Sequence, residues 1–157
     1  MPGGPRDVRS AREQLLLRML LRLTRAMSDE TIRRMERLGH HMQPSFVRML
    51  GNLDTEGTRI GALAQRMGTS RQAASQLLVE IEEAGFVERR PDPDDKRGVI
   101  VHFTARGRRG LAEAMEIMVQ LEEELAEALP SGGLRALKTS LAALVEKADP
   151  KGGFGLD

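Results

Sequence analysis

The sequence predicts a mainly helical α+β fold, in which a helix-turn-helix precedes a β-hairpin and long helices flank both. Apolar residues recur at helical spacing through most of the chain, and a glycine at position 68 separates two short helical patterns. Residues 86–103 alternate like two strands around a charged tip. With 157 residues, of which 40% are hydrophobic and 30% charged, the chain can bury a core of its own.

The composition excludes several classes of function. The absence of cysteine removes disulfides, thiol redox sensing and cysteine-ligated zinc. Arg18 and Arg22 interrupt the apolar stretch from Leu15 to Leu23, so we expect no membrane span. Residues 1–9 hold no apolar signal core, which favours a cytoplasmic location. No nucleophile lies beside a base and no glycine-rich phosphate loop follows a strand, so we expect neither an enzyme nor a cofactor.

The charges are unevenly distributed, although the net charge is only +1. Residues 1–50 carry ten Lys and Arg against five Asp and Glu, and residues 58–110 carry ten against seven. Residues 111–157 reverse this, with four against nine. The first two-thirds of the chain are thus basic and the last third is acidic. This asymmetry suits a protein that presents one face to a polyanion.

We predict a flexible segment at residues 1–9, followed by a long helical region at residues 10–43. A capping box at Ser10–Glu13 opens a helix that continues to about Leu38, where Gly39-His40-His41 interrupts it. Apolar residues occupy nearly every side of this helix, so a second subunit is expected to cover it. We predict a second helical region at residues 111–148. A helix that begins at Thr104 and ends near Leu129 continues through its first part, and a last helix follows Pro130 to Gly133. Residues 149–157 are expected to form a loose tail.

We predict that residues 44–110 form the domain that contains the helix-turn-helix and the hairpin. Pro44 suits the first turn of a helix, and residues 54–57 read as a turn. Thr58 is expected to cap a short helix that Gly68 ends. A second capping box, Thr69–Gln72, opens the next helix, which ends at Gly85 and buries Ala74, Leu77, Leu78 and Ile81.

The outer face of that second helix carries side chains suited to reading base edges. Arg71 can bind guanine with two hydrogen bonds, and Gln72 or Gln76 can do the same with adenine. The alternative is that these side chains form an ordinary solvated helix face. The neighbouring turn and hairpin favour DNA binding over this alternative. The candidate DNA-binding residues of this helix are Thr69, Ser70, Arg71, Gln72, Ser75 and Gln76.

The hairpin tip holds three Asp residues beside Lys96 and Arg97. A carboxylate is unfavourable next to phosphate unless it holds a neighbouring arginine extended. We therefore expect Asp95 to orient Arg97, and Arg97 to enter the minor groove, while Asp92 and Asp94 shape the turn. A surface loop whose charges pair among themselves is the alternative.

These motifs resemble the winged helix-turn-helix core of the MarR family, the multiple antibiotic resistance regulators. The resemblance lies in Glu82-Glu83-Ala84-Gly85-Phe86-Val87-Glu88-Arg89, in the wing Asp95-Lys96-Arg97-Gly98-Val99, and in Phe103-Thr104-Ala105-Arg106-Gly107. It implies a homodimer with interlocking terminal helices and a palindromic operator with half-sites about one turn apart. It also implies a transcription regulator, most often a repressor released by a small molecule.

Three further interpretations concern the effector and the partners. Family ligand pockets commonly lie between the dimer helices and the DNA-binding lobe, and His40 and His41 are candidates to line that cleft. A metal-responsive regulator would use the same pair, although a solvated hinge is the favoured interpretation and no metal site is expected. A winged helix serving as a protein–protein module is the remaining alternative. The glutamates at 122–124 and 127 are expected to form a solvated face.

Overall fold

The computed structural model describes residues 15–95 and 98–148, which fold into six helices and a three-stranded antiparallel sheet. This confirms the predicted mainly helical α+β fold. The capping box at Ser10–Glu13 and the segments 1–9 and 149–157 lie outside the described residues. The elements are α1 (Leu16–Arg37), α2 (Pro44–Leu50), β1 (Thr58–Arg59), α3 (Ile60–Arg66), α4 (Arg71–Glu83), β2 (Val87–Pro91), β3 (Val99–Phe103), α5 (Ala105–Ala126) and α6 (Gly133–Ala148).

The turn between α3 and α4 is closed by Gly68, as predicted. Gly68 has a φ of +62°, a left-handed conformation that glycine adopts without a Cβ penalty. The N–H of Thr69 bonds back to the carbonyl of Ala64 at 3.0 Å, which ends α3. The cap of α4 lies one residue later than predicted. Ser70 is the N-cap, and its hydroxyl accepts a hydrogen bond from the N–H of Ala73 at 3.1 Å.

The sheet has β3 in its centre, with β2 on one side and β1 on the other. Val87 pairs with Phe103, and Thr58 pairs with Val101. Val101 and Phe103 are both buried, which confirms the alternation predicted for the hairpin. The strand β1 was not predicted, because two residues are too few to show a period.

The prediction that Thr58 caps α3 is wrong. Thr58 lies in β1, and α3 begins after Arg59 with no side-chain cap. The Thr58 hydroxyl instead donates to the Asp54 carboxylate at 2.9 Å and accepts from the Asp54 N–H at 2.9 Å. Pairing with β3 holds Thr58 in the sheet, so its side chain closes the preceding turn and cannot cap the helix.

The main core fills the space between α2, α3, α4 and the sheet. Its fully buried side chains include Leu63, Leu78 and Phe86. A smaller cluster of Met35, Ile117 and Leu121 joins α1 to α5. This packing fixes α4 and the hairpin in one lobe and attaches the two long helices to it.

An Arg–Glu pair also joins α1 to α5. The Arg34 guanidinium donates two hydrogen bonds to the Glu124 carboxylate, at 2.9 and 2.7 Å. The acidic face predicted around 122–124 is therefore only partly a solvated face, since Glu124 holds α1 in place.

The long helices expose many apolar side chains. Leu17 and Leu21 of α1 are 69% and 62% exposed, and α6 buries none of its residues. None of the described helices is long and apolar enough to cross a membrane.

Candidate nucleic-acid interface

The amino-terminal half of α4 is an exposed polar surface. Ser70, Arg71, Gln72 and Gln76 are exposed, while Thr69 and Ser75 are half-buried. On the opposite side of the helix Ala74, Leu78 and Ile81 are buried, as predicted, and Leu77 is half-buried against the core. The buried face therefore fixes the rotation of α4, and the candidate base-reading residues lie on the side away from the core.

The charges of α4 favour an anion at its amino-terminal end. Its first turn contains no acidic residue, and Arg71 forms no ion pair with any described residue. The unsatisfied N–H groups of the first turn add a partial positive charge at the same end. At the other end, Glu82 pairs with Arg89 of β2 at 3.0 Å, which ties α4 to the hairpin.

The base of the hairpin tip is organised by Asp92. This residue is 4% exposed, although it carries a charge. Its carboxylate accepts the N–H of Asp94 at 3.0 Å, and its own N–H bonds to the carbonyl of Gly98 at 3.0 Å. A Cβ on Gly98 would lie 2.8 Å from the Cβ of Asp92, so only glycine fits opposite it. Asp92 thus shapes the turn, in agreement with the prediction.

Asp92 has a second partner that the sequence analysis missed. Arg59 of β1 binds both oxygens of its carboxylate, from Nε at 2.5 Å and from Nη2 at 3.2 Å. Arg59 also lies 3.5 Å from the exposed carboxylate of Asp94. The tip of the hairpin is therefore anchored to the strand that precedes the helix-turn-helix. No local sequence signal pairs these residues, which are 33 positions apart in the chain.

The predicted Asp95–Arg97 pair cannot be placed. Asp95 is exposed, whereas Lys96 and Arg97 lie outside the described residues. The roles of these three residues therefore stay predictions. Their place in the chain is the tip that Asp92 and Arg59 hold at its base.

The histidines of the predicted hinge occupy different environments. His41 is exposed, but His40 is packed against the Phe86 ring with centroids 6.0 Å apart. The His40 Nε2 lies 2.5 Å from a Glu113 carboxylate oxygen of α5, and its buried Nδ1 has no hydrogen-bond partner among the described atoms. A solvated hinge is therefore wrong for His40, because the start of α5 and Phe86 cover its ring. No cluster of three metal-ligating residues occurs in the described part of the chain.

Comparison with known proteins identifies the lobe. Residues 42–98 match the sequence model of the MarR family. The transcriptional regulator HosA of Escherichia coli O111:H- is 29% identical over 102 residues, which cover 65% of this chain and 76% of HosA. This segment of the chain therefore resembles the MarR family. The HTH-type transcriptional regulator YfiV of Bacillus subtilis is 31% identical over 83 residues, about half of each chain.

Solved structures of the MarR family share the fold. Apo MarR of E. coli has a TM-score of 0.68 and 21% identity, covering 83% of this chain and 96% of that one. The repressor CouR bound to a 23-mer DNA duplex has a TM-score of 0.67 and 25% identity, covering 84% and 93%. The lobe therefore has the winged helix-turn-helix fold of these regulators, in which α3 and α4 form the helix-turn-helix and β2 and β3 form the wing.

Asp92→Asn is expected to destabilise the wing in a pH-dependent way. The Arg59 guanidinium, helped by the Asp94 N–H, holds the pKa of the Asp92 carboxyl below its usual range. A lowered pKa in the folded state stabilises the protein above the unfolded value of about 3.9 and loses that effect as the pH falls further. The melting temperature of Asp92→Asn should thus lie below that of the wild type at pH 7, and the gap should close below about pH 4.

The matched control is Asp94→Asn, because the Asp94 side chain is 82% exposed and lies farther from Arg59. Its melting temperature should follow the wild type at every pH. An unchanged pH profile in Asp92→Asn would contradict the anchoring role of Asp92.

Proposed function

We propose that this chain is a homodimeric, sequence-specific repressor that binds a palindromic operator in double-stranded DNA and is released by a small molecule. The observation that carries the proposal is the amino-terminal half of α4. That surface is exposed and polar, lacks acidic residues in its first turn, and is held in a fixed orientation by the core and by the Glu82–Arg89 pair.

The two DNA-contacting elements have different roles in this proposal. Arg71, Gln72 and Gln76 read base edges in the major groove, with Thr69, Ser70 and Ser75 beside them. Arg97 enters the minor groove from the wing, with Lys96 near the phosphates. The anchored base of the wing supports this assignment, since the Arg59–Asp92 and Glu82–Arg89 pairs tie the described part of the hairpin to β1 and to α4. The relative CouR, which is bound to DNA in its structure, supports a duplex as the partner.

The exposed apolar helices support a second copy of the chain as the other partner. Side chains that are 37–69% exposed line α1, α5, α6 and the residues beside them, and two copies could bury these faces against each other. They include Leu15, Leu16, Leu17, Met19, Leu21, Leu23, Met115, Met118, Val119, Leu125, Leu129, Leu137, Leu144 and Val145.

Titration of labelled DNA separates the two roles. Arg71→Ala or Gln72→Ala should reduce discrimination at particular base pairs by about 5- to 100-fold, the value of one bidentate contact. Arg97→Ala should weaken binding to all sequences alike. Arg135→Ala is the matched control, because Arg135 is an exposed arginine on α6.

Two outcomes would overturn the assignment. Unchanged affinity for both Arg71→Ala and Arg97→Ala would remove the site residues. Binding to genomic fragments that does not weaken with salt, or no binding at all, would favour a protein–protein module, because released counterions give DNA binding a steep salt dependence.

A further inference from the structure

An apolar cavity of about 300 Å³ lies between α1, α5 and the winged lobe. Met27 and Met35 of α1 form one wall, and Phe86 and Phe103 of the lobe form another. Cavities of this size occur in proteins that bind small molecules. No single stretch of the sequence signals this cavity, because its walls come from segments that are far apart in the chain.

The α5 side of the cavity is lined partly by small residues. Gly107, Gly110 and Ala114 lie on one face of this helix, at intervals of three and four, and all three line the cavity. Leu111 and Met118, also on α5, line the same space.

None of the described residues that line the cavity is charged, and none carries a side-chain amide. Its side-chain polar groups are the hydroxyls of Thr24, Ser28 and Thr31, and the Thr31 hydroxyl already donates to the carbonyl of Met27 at 2.8 Å. A carboxylate or an ammonium group placed here would find no opposite charge, and burying an unpaired charge is strongly unfavourable. An apolar cavity of this kind also excludes water and accepts apolar guests.

We infer that the ligand of this cavity is a neutral, largely apolar small molecule, bound without an ionic contact. This inference rests on the small-molecule release proposed above and specifies the chemical class of the effector. Phe86 directly follows Gly85, the residue that closes α4, and its ring lines the cavity. A ligand in the cavity therefore contacts the lobe close to the end of the base-reading helix.

A matched pair of fluorescent probes tests the class of ligand on DNA-free, full-length protein. N-phenyl-1-naphthylamine is neutral, and 8-anilinonaphthalene-1-sulfonate carries the same ring system with a sulfonate. The chain has no Trp and no Tyr, so probe emission is read without a protein background. The neutral probe should bind saturably at one site per protomer. The affinity of the sulfonate for the same site should be lower by about tenfold or more.

Two variants that fill the cavity test the location. Ala114→Phe adds a ring from α5, and Ser28→Leu adds a smaller group from α1, in case the larger change impairs folding. Both should abolish the saturable signal of the neutral probe. Ala112→Phe is the matched control, since Ala112 is exposed on the same helix and should leave the signal unchanged.

Equal affinity for the two probes at the site that Ala114→Phe blocks would overturn the class of ligand. Neutral-probe binding that survives both cavity variants would overturn the site. Operator binding by the probe-free wild type is measured separately, so failure of the probe experiment leaves the DNA-binding proposal standing, and loss of DNA binding leaves the probe result readable.

Discussion

Gly107→Ala is expected to lower the melting temperature by about 5–10 °C. A Cβ at this position would lie 1.9 Å from the carbonyl oxygen of Phe86, which is backbone and cannot rotate away. The first turn of α5 is held against this carbonyl by the Thr104 N–H, which donates to it at 3.1 Å. The substitution therefore separates α5 from the start of β2, as thermal unfolding followed by circular dichroism would detect.

Gly61→Ala is the matched control for that substitution. Gly61 also lies in a helix, but an added Cβ meets no atom within 4 Å. Because alanine favours helix more than glycine does, the melting temperature should stay the same or rise slightly. A wild-type melting temperature for Gly107→Ala would mean that α5 does not lie against Phe86 as described.

Leu17→Glu combined with Leu21→Glu is expected to convert the proposed dimer to a monomer and to weaken operator binding by about 100-fold or more. Both leucines are more than 60% exposed on α1, where the proposed partner covers them. Charges in that interface would be buried without partners. Each monomer would then bind one half-site on its own, without the gain in affinity that comes from binding two half-sites at once. Analytical ultracentrifugation gives the mass, and DNA titration gives the affinity.

Leu38→Glu controls for added charge on an exposed leucine. Leu38 is 57% exposed just beyond the end of α1, away from the leucines at its start. The variant should remain dimeric and keep its affinity. If Leu17→Glu with Leu21→Glu also stays dimeric, α1 is not the dimer interface.

The elements with a clear period could be predicted from the sequence. Gly68 and Gly85 each adopt the positive φ that ends a helix, and both were placed correctly from their position after an apolar stripe. The alternation of Val99, Val101 and Phe103 placed the second strand of the hairpin in the same way. These signals are local, since each depends on residues within one or two turns.

Features that depend on distant parts of the chain could not be predicted. β1 has two residues, so Thr58 carried a cap signal and no strand signal. The Arg59–Asp92 pair joins two segments that only the sheet brings together. His40 is covered by Phe86 and by Glu113, which is 73 positions away, so the polar sequence around it suggested a solvated turn.

Selection of bound sites from randomised duplexes tests whether a homodimer of this chain reads DNA through two copies of α4. A dimer that presents two copies of α4 should recover a palindrome whose half-sites are centred about one helical turn apart, roughly 10 base pairs. Repeating the selection with Arg71→Ala should relax the preference at particular positions and keep the spacing. Recovery of no enriched sequence, or of a single half-site without symmetry, would contradict the account of a homodimer that reads DNA through α4.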